Sequence, residues 1–206
     1  MMETVDLELI RQKTRAFVEK EIPVELSREI DRKDFYPKEL LQKFTGTGLW
    51  GVNIPEKYGG MDGRSVDAMP IYEELSRRLP VLAWVIGNIM LYGNDIIGAH
   101  GNEAQKEKYL PGLAQGKYHF SFALTEPGAG SDAANIRTKA EFRDGAYWIT
   151  GSKMFITGAG VSDVVVTLTR TAPSRYQGIT AFLVESKTPG YSASPLEKLG
   201  YHGSNT

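Results

Sequence analysis

The chain has 206 residues, enough for one large domain or two small ones. Its 41% apolar and 24% charged residues are ordinary for a soluble globular protein, and a net charge of −1 leaves no basic excess to hold nucleic acid. Cysteine is absent, which excludes disulfides and thiolate metal sites and leaves the redox compartment unconstrained. The stretch from Met1 to Asp6 has no basic segment followed by an apolar run, so it does not read as a signal peptide. The longest apolar stretch, Val81 to Tyr92, falls well short of the roughly 20 residues of a membrane helix. A soluble, cytoplasmic protein is the expectation.

The first half reads as helical. Asp6 is placed to cap a helix whose Leu7, Ile10, Phe17, Val18 and Ile22 fall at helical spacings, with Pro23 as its end. Pro37 opens a second helix carrying Leu40, Leu41 and Phe44 on one face, stopped by Gly46 and Gly48. Residues 49–60 are rich in Gly and Pro and read as a loop pinned by Trp50, Val52 and Ile54. A third helix is expected from Ser65, its cap, to Arg78, with Ile71, Tyr72 and Leu75 inward; Pro70 implies a kink or a later start. Val81 to Tyr92 is apolar almost all round and reads as a buried helix. Gly87 costs that helix about 1 kcal/mol relative to Ala, which suggests a close approach there. Glu103 to Leu113 is the last helix.

From Tyr118 the apolar period changes to two. Phe120 to Leu124 reads as a short buried strand, and Ile136 to Phe142 and Ala146 to Ile156 flank the hairpin signal Asp144-Gly145. Val164 to Thr169 and Ile179 to Glu185 are further strands, and Tyr191-Ser-Ala can begin another. The shift near residue 115 divides the chain into an all-α domain over 1–116 and an antiparallel β domain over 117–206, an α+β multidomain layout. The end, Lys198 to Thr206, carries no stop signal and leaves an edge to be covered by further chain or by another subunit.

His100, His119 and His202 are scattered, and the pairing of His100 with Glu103 makes no metal site. Gly158-Ala-Gly160 lacks the rest of a dinucleotide fingerprint and follows a strand in an antiparallel context. Two segments remain. In the first, residues 122–132, the strand ends in a loop of one proline and two glycines. Such a loop can present a nest of backbone N–H donors to a phosphate or pyrophosphate, and it equally serves an ordinary hairpin connection. In the second, residues 151–158, Phe155 can cover a flat ring and the Thr157 hydroxyl can reach a ring nitrogen; core and turn residues read the same way.

Together, Thr125-Glu-Pro-Gly-Ala-Gly-Ser-Asp132 and Gly151-Ser-Lys-Met-Phe-Ile-Thr157 resemble the acyl-CoA dehydrogenases, FAD-dependent flavoproteins. Residues 54–60, 101–111 and 198–206 are similar to further family segments, so the likeness runs along the whole chain. The resemblance implies an N-terminal helical domain, a middle antiparallel β-barrel and a C-terminal four-helix bundle, of which these residues supply the first two. It implies FAD held by Phe122, Leu124, Thr125, Gly130, Ser131, Phe155, Ile156 and Thr157, with Ser131 also touching the thioester ligand. Ala83, Ile86, Gly87 and Met90 would form the acyl wall.

The implied reaction is α,β-dehydrogenation of an acyl-CoA, in fatty acid metabolism, with electrons passing to an electron-transfer flavoprotein and a dimer or homotetramer as the assembly. No catalytic base is expected in this chain; in the family it lies in the C-terminal bundle, and Glu126 is a loop residue of the flavin site. Phe155 stands where many members have tryptophan, which bears on the choice of electron acceptor. Acyl-CoA oxidase, enoyl-CoA reductase and flavin monooxygenase chemistry on the same fold remain open, as does a non-catalytic truncated paralogue.

Overall fold

The computed structural model describes residues 5–206, which form two compact units. One comprises the chain up to Phe120 together with Glu197–Asn205; the other comprises Ser121–Leu196 with Thr206.

The first unit is helical. Helix α1 (Leu7–Glu21) starts where Asp6 accepts the Leu9 N–H at 3.0 Å, and it ends before Pro23. Pro23 then leads into α2 (Val24–Lys33), which the apolar spacing did not predict because Ile30 is its only buried residue. Helix α3 (Lys38–Phe44) follows Pro37 and buries Leu40, Leu41 and Phe44. Trp50, Val52 and Ile54 pin the next loop as expected, and Phe44 meets Phe17 and Trp50 edge-on, with ring centroids 5.4 and 5.2 Å apart. Helix α4 (Met69–Ser76) takes the later start that Pro70 requires, after a short 3-10 turn, Ser65–Ala68. Ser65 does not cap it; its hydroxyl donates to Asp95 at 2.7 Å.

Helix α5 (Pro80–Ile89) continues through a widened π turn, Met90–Asp95, into α6 (Ile96–His100). The continuous rod Pro80–His100 has 21 residues, long and apolar enough to cross a membrane, and most of it is buried in the fold. It outruns the stretch read from sequence because the helix carries on through polar Asn94 and Asp95. Asn94 is satisfied there, donating to the Trp50 carbonyl at 2.9 Å and to Asn53 Oδ1 at 2.7 Å. The rod is not buried all round: Trp84 and Leu91 are exposed, and Trp84 meets Tyr201 edge-on at 5.5 Å. Helix α7 (Glu103–Ala114) opens with reciprocal Asn102–Gln105 capping.

Residues 197–205 group with these helices. Asp34, in the left-handed region at the end of α2, accepts the Gly203 N–H at 2.6 Å and the Lys198 ammonium at 2.9 Å.

The second unit is a five-stranded sheet: β1 (Phe120–Ala123), β2 (Lys139–Arg143), β3 (Ala146–Thr150), β4 (Val164–Arg170) and β5 (Ile179–Glu185). The β2–β3 hairpin turns at Asp144 and Gly145, both at positive φ (52° and 79°), as a two-residue turn of primed type demands. β4 pairs antiparallel with β5 along its whole length and buries consecutive Val164, Val165 and Val166, as a central strand does. Three expectations need correction. The strand expected over Ala146 to Ile156 stops at Thr150, and residues 151–156 form no strand. The sheet is mixed rather than antiparallel throughout, because β2 meets β4 in parallel at Lys139 and Arg170. Arg170 makes this junction: its N–H donates to the Thr138 carbonyl, and its guanidinium donates to the carbonyls of Ile136 and Ala134. Tyr191–Ala193 forms no strand; the Tyr191 hydroxyl donates to the Ala159 carbonyl at 2.7 Å.

Candidate functional site

β1 ends at Ala123, and the loop beyond it folds back through reciprocal bonds between the Glu126 and Ala129 backbones, at 3.0 and 3.1 Å. This brings the Glu126 side chain beneath the loop, where it is buried. Its carboxylate accepts the Arg137 N–H at 2.6 Å, the Thr138 N–H at 2.9 Å and the Lys153 ammonium at 2.8 Å. Burial alone would push this carboxyl up, but the bonds from Lys153, Thr138 and Arg137 outweigh it and hold the group at about 2. Glu126 is therefore a structural anion at neutral pH and is ill suited to act as a base.

Lys153 is its counterpart on the second motif. Its ammonium also donates to the Leu124 carbonyl at 3.0 Å, and the Met154 N–H donates to the Thr125 carbonyl at 2.8 Å. Burial pulls the Lys153 pKa down against the pull of Glu126; with two acceptors in reach it is the ammonium that sits here. The two motifs are thus stitched side by side. Next along the chain, Phe155 has φ +61° although it carries a Cβ, which costs roughly 1–2 kcal/mol. Its ring is 62% exposed. Ile156 and Thr157 are half-buried; the Thr157 carbonyl accepts the Ser121 hydroxyl at 2.8 Å, and its own hydroxyl lies 3.2 Å from that of Thr206.

Gly130 and Ser131 are exposed at the loop's tip, and among the described residues their N–H groups have no backbone partner. Neither Gly128 nor Gly130 takes a positive φ, and a Cβ added to either would meet nothing within 4 Å. Beside the loop, Asp132 pairs with Arg175 at 2.7 Å. A cleft of about 660 Å³ there is lined by Arg137, Lys139, Arg170 and Arg175 among others.

The structure therefore gathers Leu124, Thr125, Phe155 and Thr157 around stitched backbone, with Phe122 half-buried on β1. Ala83, Ile86 and Met90 are buried in the helical unit, where the Tyr72 hydroxyl points at the Met90 sulfur. The Tyr72 ring lies 3.5 Å from where a Cβ on Gly87 would be, an ordinary contact that does not demand glycine. Sequence reasoning left out Lys153 and Thr138 and gave Glu126 no partner. The available signal was Glu126 in the first motif and Lys153, the one base in the second, each among apolar or small neighbours.

Sequence profiles of the acyl-CoA dehydrogenase N-terminal domain and middle domain match residues 4–117 and 121–206. The chain belongs to the acyl-CoA dehydrogenase family. An acyl-CoA dehydrogenase of Bacillus subtilis (strain 168) is 40% identical over 200 residues, covering 96% of this chain and 52% of that protein. A caffeyl-CoA reductase–Etf complex subunit of Acetobacterium woodii is 36% identical, covering 96% and 53%. The solved glutaryl-CoA dehydrogenase of Mycobacterium smegmatis in complex with FADH2 superposes with a TM-score of 0.83 at 28% identity, over 98% of this chain and 51% of that one. The chain spans about half the length of these acyl-CoA dehydrogenase family relatives.

Proposed function

We propose that this chain forms the flavin-facing part of an FAD-dependent acyl-CoA dehydrogenase that converts an acyl-CoA thioester to the enoyl-CoA. The observation that carries the reading is Phe155: an exposed aromatic in a strained conformation, fixed beside an edge strand whose following loop leaves the Gly130 and Ser131 N–H groups without a backbone partner among the described residues. Strained residues that the surroundings hold in place cluster at functional sites. The glycines support it too, since neither backbone conformation nor internal packing accounts for Gly128 and Gly130, and both leave room for a ligand.

These residues fit a flavin. Phe155 and Ile156 would cover the ring, Phe122, Leu124 and Thr125 would border it along β1, and the Thr157 hydroxyl would donate to it. Gly130 and Ser131 would meet the diphosphate, and Ser131 the thioester ligand as well. In the neighbouring cleft Arg137 would be the cation to meet a coenzyme A phosphate, since Lys139 and Arg175 are paired with Glu141 and Asp132. A flavin held by these residues would supply the acceptor for the hydride leaving the β-carbon. The α-proton needs a carboxylate near its ordinary pKa, and Glu126 is held too low for that, so the base would come from outside these two motifs. Ala83, Ile86, Gly87 and Met90 would then form the acyl wall.

The finer features follow the same reading: domains over 1–116 and 117–206, a middle β-barrel, a dimer or homotetramer, and a cytoplasmic role in fatty acid metabolism. An electron-transfer flavoprotein partner is supported by the Etf-complex relative. That relative also favours a second reading, an enoyl-CoA reductase, which a full-length protein would reveal by consuming enoyl-CoA faster than acyl-CoA. The direct test is titration of the purified chain with FAD. A stoichiometric yellow complex without turnover of acyl-CoA and a dye acceptor is expected. A colourless chain would overturn the flavin site, and robust turnover would overturn the missing base.

A further inference from the structure

The left-handed backbone of Phe155 needs a cause, because the exposed ring gains little from packing that would compensate for it. The cause lies just upstream. Gly151 runs so close to Thr138 that a Cβ would overlap its side chain, and the Thr138 hydroxyl reaches the Ser152 carbonyl at 3.4 Å. Met154 is tied to the Thr125 carbonyl. Between these neutral contacts stands the buried ion pair, with 9% and 6% of the Lys153 and Glu126 side chains exposed. Glu126 is itself fixed by two backbone N–H groups, from Arg137 and Thr138, so it presents a rigid acceptor rather than a mobile one. Lys153 is anchored two residues before Phe155, and the Ser121–Thr157 bond holds the chain two residues after it.

We propose that Lys153 and Glu126 are positioning residues that hold Phe155 in its strained conformation, so that its ring is presented to the flavin before the flavin arrives. The proposal rests on the flavin reading given above. Pre-ordering the ring removes an entropic cost from binding, so the pair strengthens cofactor affinity without touching the cofactor.

The test is a double-mutant cycle on the 206-residue chain, with FAD affinity read by titration and ring geometry by the induced circular dichroism of the bound flavin. Lys153→Met and Phe155→Ala are each expected to weaken FAD binding about tenfold, and the double variant no further than the worse single one. Lys153→Arg is expected to recover most of the loss and the dichroic band. Fully additive losses, or wild-type affinity in Lys153→Met, would overturn the proposal. Should Lys153→Met fail to fold, Glu126→Gln keeps the side chain's shape and carries the same expectation of non-additivity with Phe155→Ala.

Amide exchange at Met154 separates this inference from the flavin reading. Lys153→Met is expected to speed it at least tenfold with no flavin present, while Phe155→Ala leaves it unchanged. A wild-type chain that binds no FAD but shows this exchange pattern retains the positioning and loses the flavin. Unchanged exchange in Lys153→Met overturns the positioning itself.

Discussion

Lys153 Nζ lies 2.8 Å from Glu126 Oε1 and 3.0 Å from the Leu124 carbonyl, so one ammonium joins the end of a strand to the loop that follows it. The partners are 27 residues apart in the chain, and each would be a costly buried charge alone. This pair turns two short motifs into a single wall.

The pair makes acid stability a readout of the wall. Glu126 has its folded-state pKa lowered to about 2, below its ordinary 4.5. Its contribution is therefore fully present above the unfolded value and is lost as pH falls from about 4.5 towards 2, amounting to about 3 kcal/mol. Glu126→Gln is expected to lower stability at pH 7 and to differ little from wild type at the acid end of that window. Urea melts of both proteins across the range check this. A gap that stays constant with pH would mean that the carboxylate charge is not its source.

Glu74 does the equivalent work in the helical unit. It is 3% exposed on α4 and accepts Arg15 at 2.8 Å and Arg11 at 3.1 Å, both from α1. The bond from Arg15 chiefly lowers its pKa, so its stabilisation too is present at neutral pH and fades in acid. Glu74→Gln is expected to cost about 2 kcal/mol, because three charge-assisted bonds from the two arginines weaken while the arginines can still reach water. Thermal melts with Arg15→Ala as the second arm are expected to show coupling, since both changes break one contact between the same two helices.

The hairpin turn offers a local test of backbone conformation. Gly145 sits at φ +79° with nothing within 4 Å of an added Cβ, so Gly145→Ala isolates the conformational cost, about 1 kcal/mol. Asp144 at φ +52° already bears that cost, and Asp144→Gly is expected to be near neutral. Equal losses for the two substitutions in chemical denaturation would contradict the turn geometry.

These cases also separate what local sequence reveals from what it hides. Asp6, Pro37 and Asp144-Gly145 act through neighbours within about four residues, and the elements they start or turn were legible. Helix α2 was not legible although it is strongly amphipathic, because its one-sidedness comes mainly from charged residues set against few apolar ones, of which only Ile30 is buried. The parallel meeting of β2 with β4 depends on Arg170 reaching carbonyls more than thirty residues away, which no local pattern encodes. In the candidate site, residue types and motif order were legible from the family resemblance. The Glu126–Lys153 pair and the strain at Phe155 emerge only when residues 124–126, 137–138 and 151–155 meet.

Thr157 gives the sharpest test of which groups face the cofactor. Thr157 is half-buried and its hydroxyl lies 3.2 Å from that of Thr206; with Thr206 as the donor in that contact, the Thr157 O–H can turn to a ligand. Thr157→Val replaces the hydroxyl with a methyl of nearly the same shape, and the Thr157 carbonyl keeps its bond from Ser121. Folding stability is thus expected to change by less than about 1 kcal/mol, while FAD affinity falls about fivefold to tenfold through loss of one hydrogen bond. The visible spectrum of the bound flavin is expected to shift as well if, as proposed, the lost donor faces the ring. Unchanged affinity and spectrum would remove Thr157 from the cofactor site and leave Phe155 and the 124–131 segment as its remaining wall.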